Sequence, residues 1–223
     1  MIKTPVIVLN VKAYTESFGD EGYKLAKACE EAAEETGVNI CICPQQTELA
    51  WIAKDVEIPC FAQNVDAADP GSQTGWVTME AVKASGAVGS LVNHSEHRLK
   101  IADIDVIISK AKKLDLATII CTNNEAVSAA VAALKPYAIA VEPPALIGSG
   151  ISVSKAEPEV VENTVKVVKD IHKDAVILCG AGISTGEDVK AAIELGTEGV
   201  LLASGVVKAK DPKSALLDLT SGL

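Results

Sequence analysis

Strand and helix signals alternate eight times along the 223 residues of this chain, and this alternation limits the possible folds more than any other feature. The strand candidates are short runs of Val, Ile, Leu and Ala without a helical period, as expected of strands buried on both faces. They lie at residues 5–9, 38–43, 58–63, 87–92, 116–121, 137–141, 175–179 and 199–203. About 28 residues per unit is near the lower limit for a closed (β/α)8 barrel. We therefore expect a single α/β domain of this kind over residues 1–223, since no linker or low-complexity segment interrupts the pattern.

Helix signals fill the intervals between these runs. Helix-favouring segments lie at residues 18–36, 47–54, 78–85 and 101–114, and Gly37 ends the first of them. Three residue pairs have the spacing of a helix start: Thr122 with Glu125, Ser184 with Glu187, and Asp211 with Pro212. The first two pairs are spaced as capping boxes, and in the third an Asp N-cap precedes a Pro at the first helical position. We expect a helix to begin at each pair.

An open doubly wound sheet is the rival architecture, because Gly180-Ala181-Gly182 contains part of a dinucleotide-binding fingerprint. The third glycine of that fingerprint is missing, and the glycine pair follows the seventh strand instead of the first. The barrel is therefore the better interpretation.

Composition restricts the partners. A formal net charge of −10 argues against binding to nucleic acid or to an anionic membrane. Hydrophobic residues make up 48% of the chain but aromatic residues only 3%, so aliphatic side chains must fill the core. No apolar run approaches the ~18 residues that span a bilayer, and the first residues lack the regions of a signal peptide. We expect a soluble cytoplasmic protein.

The six cysteines are expected to be buried, reduced thiols. Five of them lie in or at the ends of predicted strands, and no spacing among them matches a zinc site. Free cysteine behaves as a small hydrophobic residue, so we expect neither a metal site nor a cysteine nucleophile.

Reactive side chains directly follow three of the predicted strands. Asn10 and Lys12 follow the first run, His94 follows the fourth and Glu142 follows the sixth. The carboxyl ends of parallel strands meet at one edge, where α/β proteins bind their ligands. Asn10 and Lys12 alternate with Val11, so their side chains project on the same side. The sequence therefore predicts an active site with a cation, an imidazole and a carboxylate.

Each of these residues also has a purely structural interpretation. Glu142 precedes two prolines that stiffen the next segment, so it can serve as a base if water is excluded, or it can form a salt bridge. His94 precedes a polar turn at residues 95–98 that we expect to begin a helix, or it makes one structural hydrogen bond. Lys12 can balance a negative charge, or it is a solvated lysine.

Glycines and small residues after the seventh and eighth strands predict a phosphate site. Gly180 and Gly182 allow close backbone approach, and a Ser184 cap marks a helix N-terminus that favours an anion. Ala203-Ser204-Gly205 supplies the second loop, at the place where barrels frequently bind phosphate. The alternative is that both loops are only tight turns.

The chain resembles the triosephosphate isomerase family, and in particular its short archaeal form. The motifs that carry the resemblance are Asn10-Val11-Lys12, Gln63-Asn64-Val65-Asp66, Asn93-His94-Ser95-Glu96, Glu142-Pro143-Pro144, residues 145–150, residues 179–187 and residues 201–205. They occur in order over essentially the whole chain. The resemblance implies a TIM barrel that interconverts dihydroxyacetone phosphate and glyceraldehyde 3-phosphate without a metal or another cofactor.

The resemblance also implies roles for individual residues. Glu142 is the base, and His94, held neutral by a helix N-terminus, polarises the carbonyl and relays protons. Lys12 stabilises negative charge, Asn10 orients it, and Glu96 pairs with Lys12. The backbone contacts to the phosphate are expected at Ile147, Gly182, Ala203 and Ser204.

Two further expectations follow from the resemblance. The chain is expected to form a homo-oligomer, with a tetramer favoured and a dimer as the alternative. Two departures are visible: Cys179-Gly180-Ala181 stands where other forms of the family have Tyr-Gly-Gly, and Ala145 stands where the archaeal pattern usually has Glu. The expected lid at residues 147–150 therefore lacks a hydrogen bond from that Tyr.

Two other functions remain open from the residues alone. Another phosphate-binding barrel, such as a phosphosugar lyase or isomerase, would explain the two glycine-rich loops but not the Asn-x-Lys and Asn-His-Ser-Glu motifs. A non-catalytic barrel would retain the fold and should have lost Glu142 or His94.

Overall fold

The computed structural model describes residues 2–143 and 151–223, and within them eight parallel strands form a nearly closed barrel surrounded by helices. The strands are β1 Val6–Asn10, β2 Asn39–Cys43, β3 Phe61–Ala62, β4 Gly89–Val92, β5 Ala117–Thr122, β6 Ala138–Val141, β7 Val176–Cys179 and β8 Gly199–Leu202. Their order in the sheet is β2-β1-β8-β7-β6-β5-β4-β3. A single bridge between Ile42 and Cys60 joins the two outer strands, so the barrel is confirmed and the open sheet is excluded.

Helices occupy the connections between strands. They are α1 Asp20–Thr36, α2 Leu49–Asp55, α3 Met79–Ala84, α4 Ile101–Leu114, α5 Glu125–Ala132, α6 Val153–Ala156, α7 Pro158–Ile171, α8 Gly186–Glu194, α9 Ser204–Val207 and α10 Pro212–Thr220, with a 3-10 turn at Thr15–Ser17. Gly37 ends α1 in the left-handed conformation, with a φ of 73°, as glycine commonly does. No helix in the described part of the chain is long and apolar enough to cross a membrane.

Side chains alternate between two apolar layers, as the period of a strand requires. Val6 and Val8 of β1 point into the barrel, whereas Ile7 and Leu9 pack against the surrounding helices. The interior contains mainly aliphatic side chains and cysteines, and Phe61 is the one aromatic side chain among its fully buried, described residues. The six cysteines are free and buried, as predicted. Burial raises the pKa of the Cys41, Cys60 and Cys179 thiols to about 12, so these thiols are protonated at neutral pH.

The third strand is much shorter than predicted, since only Phe61 and Ala62 of the 58–63 run are in the ladder. Pro59 lies inside that run and has no N–H to donate, although its carbonyl oxygen accepts a hydrogen bond from Ile42 N–H (3.1 Å). This shortening explains why β2 and β3 are joined by a single bridge instead of a full ladder.

Two of the three predicted helix caps were wrong in position. Asn124 caps α5, where its side chain accepts from Val127 N–H (2.9 Å), while Thr122 is the last residue of β5. Thr185, not Ser184, caps α8, and its capping box is completed by Asp188. In both cases a second capping residue lies one or two positions later and has the extended backbone that an N-cap needs. The Asp211 cap with Pro212 at the first helical position is confirmed.

Candidate active site

The carboxyl ends of the strands meet around one cavity, and the predicted reactive residues lie together there. Its volume is about 190 Å³. Asn10, Lys12, Tyr14, His94 and Glu142 line one part of it, and residues 181–184 and 201–205 line the other.

Lys12 is held at this cavity in an unusual backbone conformation. Its φ is 50°, a left-handed value that costs a residue with a side chain about 1–2 kcal/mol. Asn10 Oδ1 accepts a hydrogen bond from Lys12 N–H (3.0 Å), and Gln63 Nε2 donates to the Lys12 carbonyl oxygen (2.9 Å). The two side chains fix the backbone from both sides. The Lys12 ammonium donates to Glu96 (2.8 Å), so the pairing expected from the resemblance is present.

Gln63 had no individual role in the sequence analysis. It lies just after β3 and also donates to the carbonyl oxygen of Cys43 (3.1 Å), so it joins the ends of β2 and β3 to the Lys12 turn. A polar residue that ends a predicted strand was the available signal, the same signal that identified Asn10.

His94 is buried after β4 and is held as a neutral imidazole. Its Nδ1 accepts from Glu96 N–H (3.2 Å), which places the ring proton on Nε2. Burial, together with the positive charge of Lys12, lowers the His94 pKa to about 4. The expected helix start was wrong, because residues 95–98 form a turn and α4 begins only at Ile101. One backbone N–H of that turn, and not a helix N-terminus, fixes the tautomer.

The turn that presents His94 is itself tied to the barrel. Asn93 has a left-handed φ of 62°, and its side chain donates to Cys121 C=O (2.9 Å) and accepts from Leu99 N–H (2.9 Å). Arg98 donates to the Asn93 carbonyl oxygen (2.8 Å). Sequence reasoning gave Arg98 no role, since an isolated surface arginine carries no signal.

Glu142 follows β6 and is 5% exposed. Its Oε2 has no hydrogen-bond partner among the residues that the structure describes and lies 3.5 Å from His94 Nε2. Burial raises the Glu142 pKa to about 7, although the Cys121 thiol and the Lys12 charge favour the ionised form. Gly180 leaves room for this carboxylate, because a Cβ there would lie 3.0 Å from Glu142 Oε1.

Two loops beside this group expose backbone amides to the cavity. Gly182, in the loop after β7, has a φ of 75°. Gly205, which follows β8, packs against that first loop, since a Cβ there would lie 3.1 Å from the Ile183 carbonyl oxygen. Within the described residues the N–H groups of Gly182, Ser204 and Gly205 donate no hydrogen bond. Ala203 directly precedes α9 as its N-cap. This arrangement can bind an anion.

The first amides of α8 are not available to an anion, contrary to expectation. Ser184 N–H and Thr185 N–H donate to Asp188 Oδ2 (3.1 and 3.0 Å), and Gly186 N–H donates to Asp218 (2.9 Å). Two carboxylates of the protein therefore bind the amides at the start of α8, which were expected to favour an anion. Ile147 and Ala145 lie outside the described residues.

The chain is similar to known proteins over nearly its whole length. The family model described as "Triosephosphate isomerase" matches residues 5–221. The protein named triosephosphate isomerase from Methanothermus fervidus is 58% identical over 96% of this chain and 97% of its own length. Relatives of the same name from Methanocaldococcus jannaschii and Methanobrevibacter smithii are 56% and 52% identical, over 96% and 100% of this chain and 98% and 100% of theirs. The chain belongs to the triosephosphate isomerase family.

Proposed function

We propose that Glu142, His94, Lys12 and Asn10 carry out the interconversion of dihydroxyacetone phosphate and D-glyceraldehyde 3-phosphate, the reaction of this family. The reaction moves one proton between two adjacent carbons through an enediolate. It needs a base near neutral pKa, a hydrogen-bond donor to the carbonyl oxygen and a positive charge. The cavity contains one residue of each kind.

The main support for this proposal is the buried carboxylate oxygen Oε2 of Glu142, which has no hydrogen-bond partner in the part of the chain that the structure describes. A general base works best when its pKa is close to the working pH, and burial raises this pKa to about 7. Because Oε2 has no partner among the described residues, it is free to take a proton from the substrate carbon.

His94 serves as the donor to the carbonyl oxygen. The backbone N–H of Glu96 occupies Nδ1, so the remaining ring proton lies on Nε2, on the side of Glu142. A neutral imidazole can donate this proton to an enediolate oxygen and recover one from the neighbouring oxygen, which moves the proton between the two positions.

Lys12 supplies the positive charge, and Asn10 holds it in place. The Lys12 ammonium is largely shielded from solvent, so its attraction for a developing oxyanion is screened less than at the surface. Its pairing with Glu96 fixes the direction of the side chain while leaving two N–H bonds for the substrate.

The phosphate group is proposed to bind at Gly182, Ala203 and Ser204, with Ile147 as a fourth contact that rests on the family resemblance. The amides that donate no other hydrogen bond support this position. Binding of a dianion by main-chain N–H groups also suits a chain whose net charge is −10. No metal and no organic cofactor takes part in this reaction scheme.

We also propose a homo-oligomer, with a tetramer favoured and a dimer as the alternative. Every residue from 69 to 76 is exposed, and the Trp76 side chain at the end of this loop is 55% exposed. The base of this projecting loop is rigid, since Asp66 makes two hydrogen bonds with Val77 and Lys110 pairs with Asp69 (2.7 Å). A rigid loop with an exposed Trp is the type of surface that packs against a second copy.

The expected cellular setting is the cytoplasm, with a role in glycolysis and gluconeogenesis and no binding to nucleic acid or membrane. The experiment is an isomerase assay on purified protein in both directions, coupled to a dehydrogenase. Turnover of the triose phosphates with no reaction on larger phosphosugars supports the proposal. A protein that turns over only another phosphosugar, or that binds phosphoglycolate without turnover, would replace it with one of the two alternative barrels.

A further inference from the structure

The Asp188 carboxylate accepts more hydrogen bonds than its place in the capping box of α8 requires. Its side chain is 6% exposed, and its Oδ2 accepts from Ser184 N–H, Ser184 Oγ and Thr185 N–H at 3.0–3.3 Å. Its Oδ1 lies 2.8 Å from Lys155 Nζ. The carboxylate therefore holds the turn that follows Gly182 and also binds a residue from another part of the chain.

Asp188 also contacts the segment at residues 152–155 through its backbone. The Asp188 carbonyl oxygen accepts from Ser154 Oγ (3.1 Å), and that hydroxyl also bonds to the Ser152 hydroxyl (2.6 Å). Both serines are buried. Asp188 thus joins residues 152–155 to the turn at 182–185 through its main chain and its side chain.

The two segments also touch directly at Gly182. A Cβ at this position would lie 1.8 Å from the carbonyl oxygen of Ile151 and 2.9 Å from Ser152 N, so only glycine permits the contact. A displacement of residues 151–155 would therefore move the amide of Gly182, which lines the cavity.

We propose that Asp188 is a positioning residue for phosphate binding, which locks the 182–185 turn to residues 152–155 and so fixes the direction of the Gly182 amide. This inference rests on the proposed phosphate site. Asp188 is not among the residues that line the cavity, and its carboxylate would repel a phosphate.

A carboxylate is needed at this position, and an amide is not sufficient. Burial alone would raise the Asp188 pKa, but the Lys155 ammonium and the hydrogen bonds from Ser184 and Thr185 lower it below its ordinary value. In Asp188→Asn the remaining oxygen can still accept from the turn, whereas the new NH2 group faces the Lys155 ammonium, donor against donor. Asn therefore breaks the link to residue 155 while it preserves the cap.

The chain contains a matched control at the opposite end of the barrel. Glu198 also accepts from a backbone N–H, that of Ile177 (3.2 Å), and pairs with Lys169 (2.9 Å). It lies just before β8, away from the cavity. Glu198→Gln therefore removes a comparable ion pair without reaching the phosphate turn.

The experiment measures phosphoglycolate dissociation constants for wild type, Asp188→Asn, Lys155→Met, the double variant and Glu198→Gln. Turnover of D-glyceraldehyde, which lacks the phosphate, is measured on the same proteins. We expect roughly tenfold weaker phosphoglycolate binding in each of the first two variants, as for loss of one charge-assisted hydrogen bond. The double variant should be no weaker than Asp188→Asn alone, and Glu198→Gln should bind as wild type does.

A purely structural role would give a different pattern. It would lower glyceraldehyde turnover in parallel with phosphoglycolate affinity, whereas positioning leaves glyceraldehyde turnover unchanged. Wild-type affinity in Asp188→Asn and Lys155→Met overturns the inference, as does additivity in the double variant. Lys155→Met keeps the capping box, so it decides the question even if Asp188→Asn does not fold.

A failure of the phosphate site itself is distinguishable. Gly182→Ala should abolish phosphoglycolate binding if the site is correct. If Gly182→Ala binds normally, the proposed phosphate site is wrong. If Gly182→Ala loses binding and Asp188→Asn does not, only the inference on Asp188 is wrong.

Discussion

His94 Nε2 lies 3.5 Å from Glu142 Oε2, and this pair joins the ends of two strands that are not neighbours in the sheet. The distance is longer than a well-formed hydrogen bond. Both side chains are buried. Burial lowers the His94 pKa and raises the Glu142 pKa, so it favours the neutral form of each group. The barrel therefore keeps a base and a proton donor side by side without an ion pair that would disable both.

The pH dependence of kcat/KM should report Glu142. Its pKa of about 7 predicts an acid limb near neutral pH, and the His94 pKa of about 4 predicts no second limb between pH 5 and 8. The profile must be corrected for the second pKa of the substrate phosphate, about 6. A corrected limb near pH 4.5, the ordinary value for Glu, would contradict the desolvation of this carboxylate.

Burial of Glu142 should also lower the free energy of unfolding at pH values where this carboxylate is ionised. The folded state binds the Glu142 proton more tightly than the unfolded state does, so stability is lost as the pH rises from about 4.5 to about 7. Glu142→Gln removes this effect, and we expect its Tm to exceed that of wild type by roughly 10 °C at pH 8 and by only about 2 °C at pH 5. His94 titrates in both proteins, so its contribution to the Tm difference cancels. Equal Tm differences at the two pH values would contradict the prediction.

Gln63 should control the position of Lys12. Gln63→Ala removes the donor to the Lys12 carbonyl oxygen and leaves the left-handed backbone supported by Asn10 alone. We expect kcat/KM to fall about tenfold, which corresponds to a lost hydrogen bond and an unpaired, partly buried carbonyl group. Asn39→Ala is the control, because Asn39 also donates to a backbone carbonyl oxygen, that of Pro5, at the other end of the barrel. Equal losses in the two variants would mean that the effect is general destabilisation.

Trp76 should be required for association. Trp76→Glu places a charge on the projecting loop, whose base is held by Asp66 and Lys110, so the fold of the chain is not affected. Sedimentation at micromolar concentration should show an oligomer for wild type and a shift towards monomer for the variant, with unchanged far-ultraviolet circular dichroism. A wild-type monomer with full activity would contradict the proposed assembly.

Much of the fold could be predicted from local signals. Alternating apolar runs located all eight strands, and the boundaries of α4 were predicted at Ile101 and Leu114 as the structure has them. Strand-end chemistry located Asn10, Lys12, His94 and Glu142, since parallel strands bring their carboxyl ends to one edge.

The errors arose where tertiary contacts choose between two local options. Thr122 and Asn124 both suit a helix cap, and pairing of β5 with β6 takes Thr122 into the strand. Ser184 and Thr185 are equally suited, and Asp188 reaches both amides. The cause of the neutral His94 was also missed, because burial and a single turn amide replace the expected helix.

The most direct test of the central claim is the turnover number of Glu142→Gln with D-glyceraldehyde 3-phosphate, measured beside wild type on protein whose fold is verified by its melting curve. Gln keeps the shape of the side chain and cannot accept the proton. We expect kcat to fall by about 10²–10⁴, or more, with phosphoglycolate binding retained. Turnover close to wild type in the folded variant would show that Glu142 is not the base.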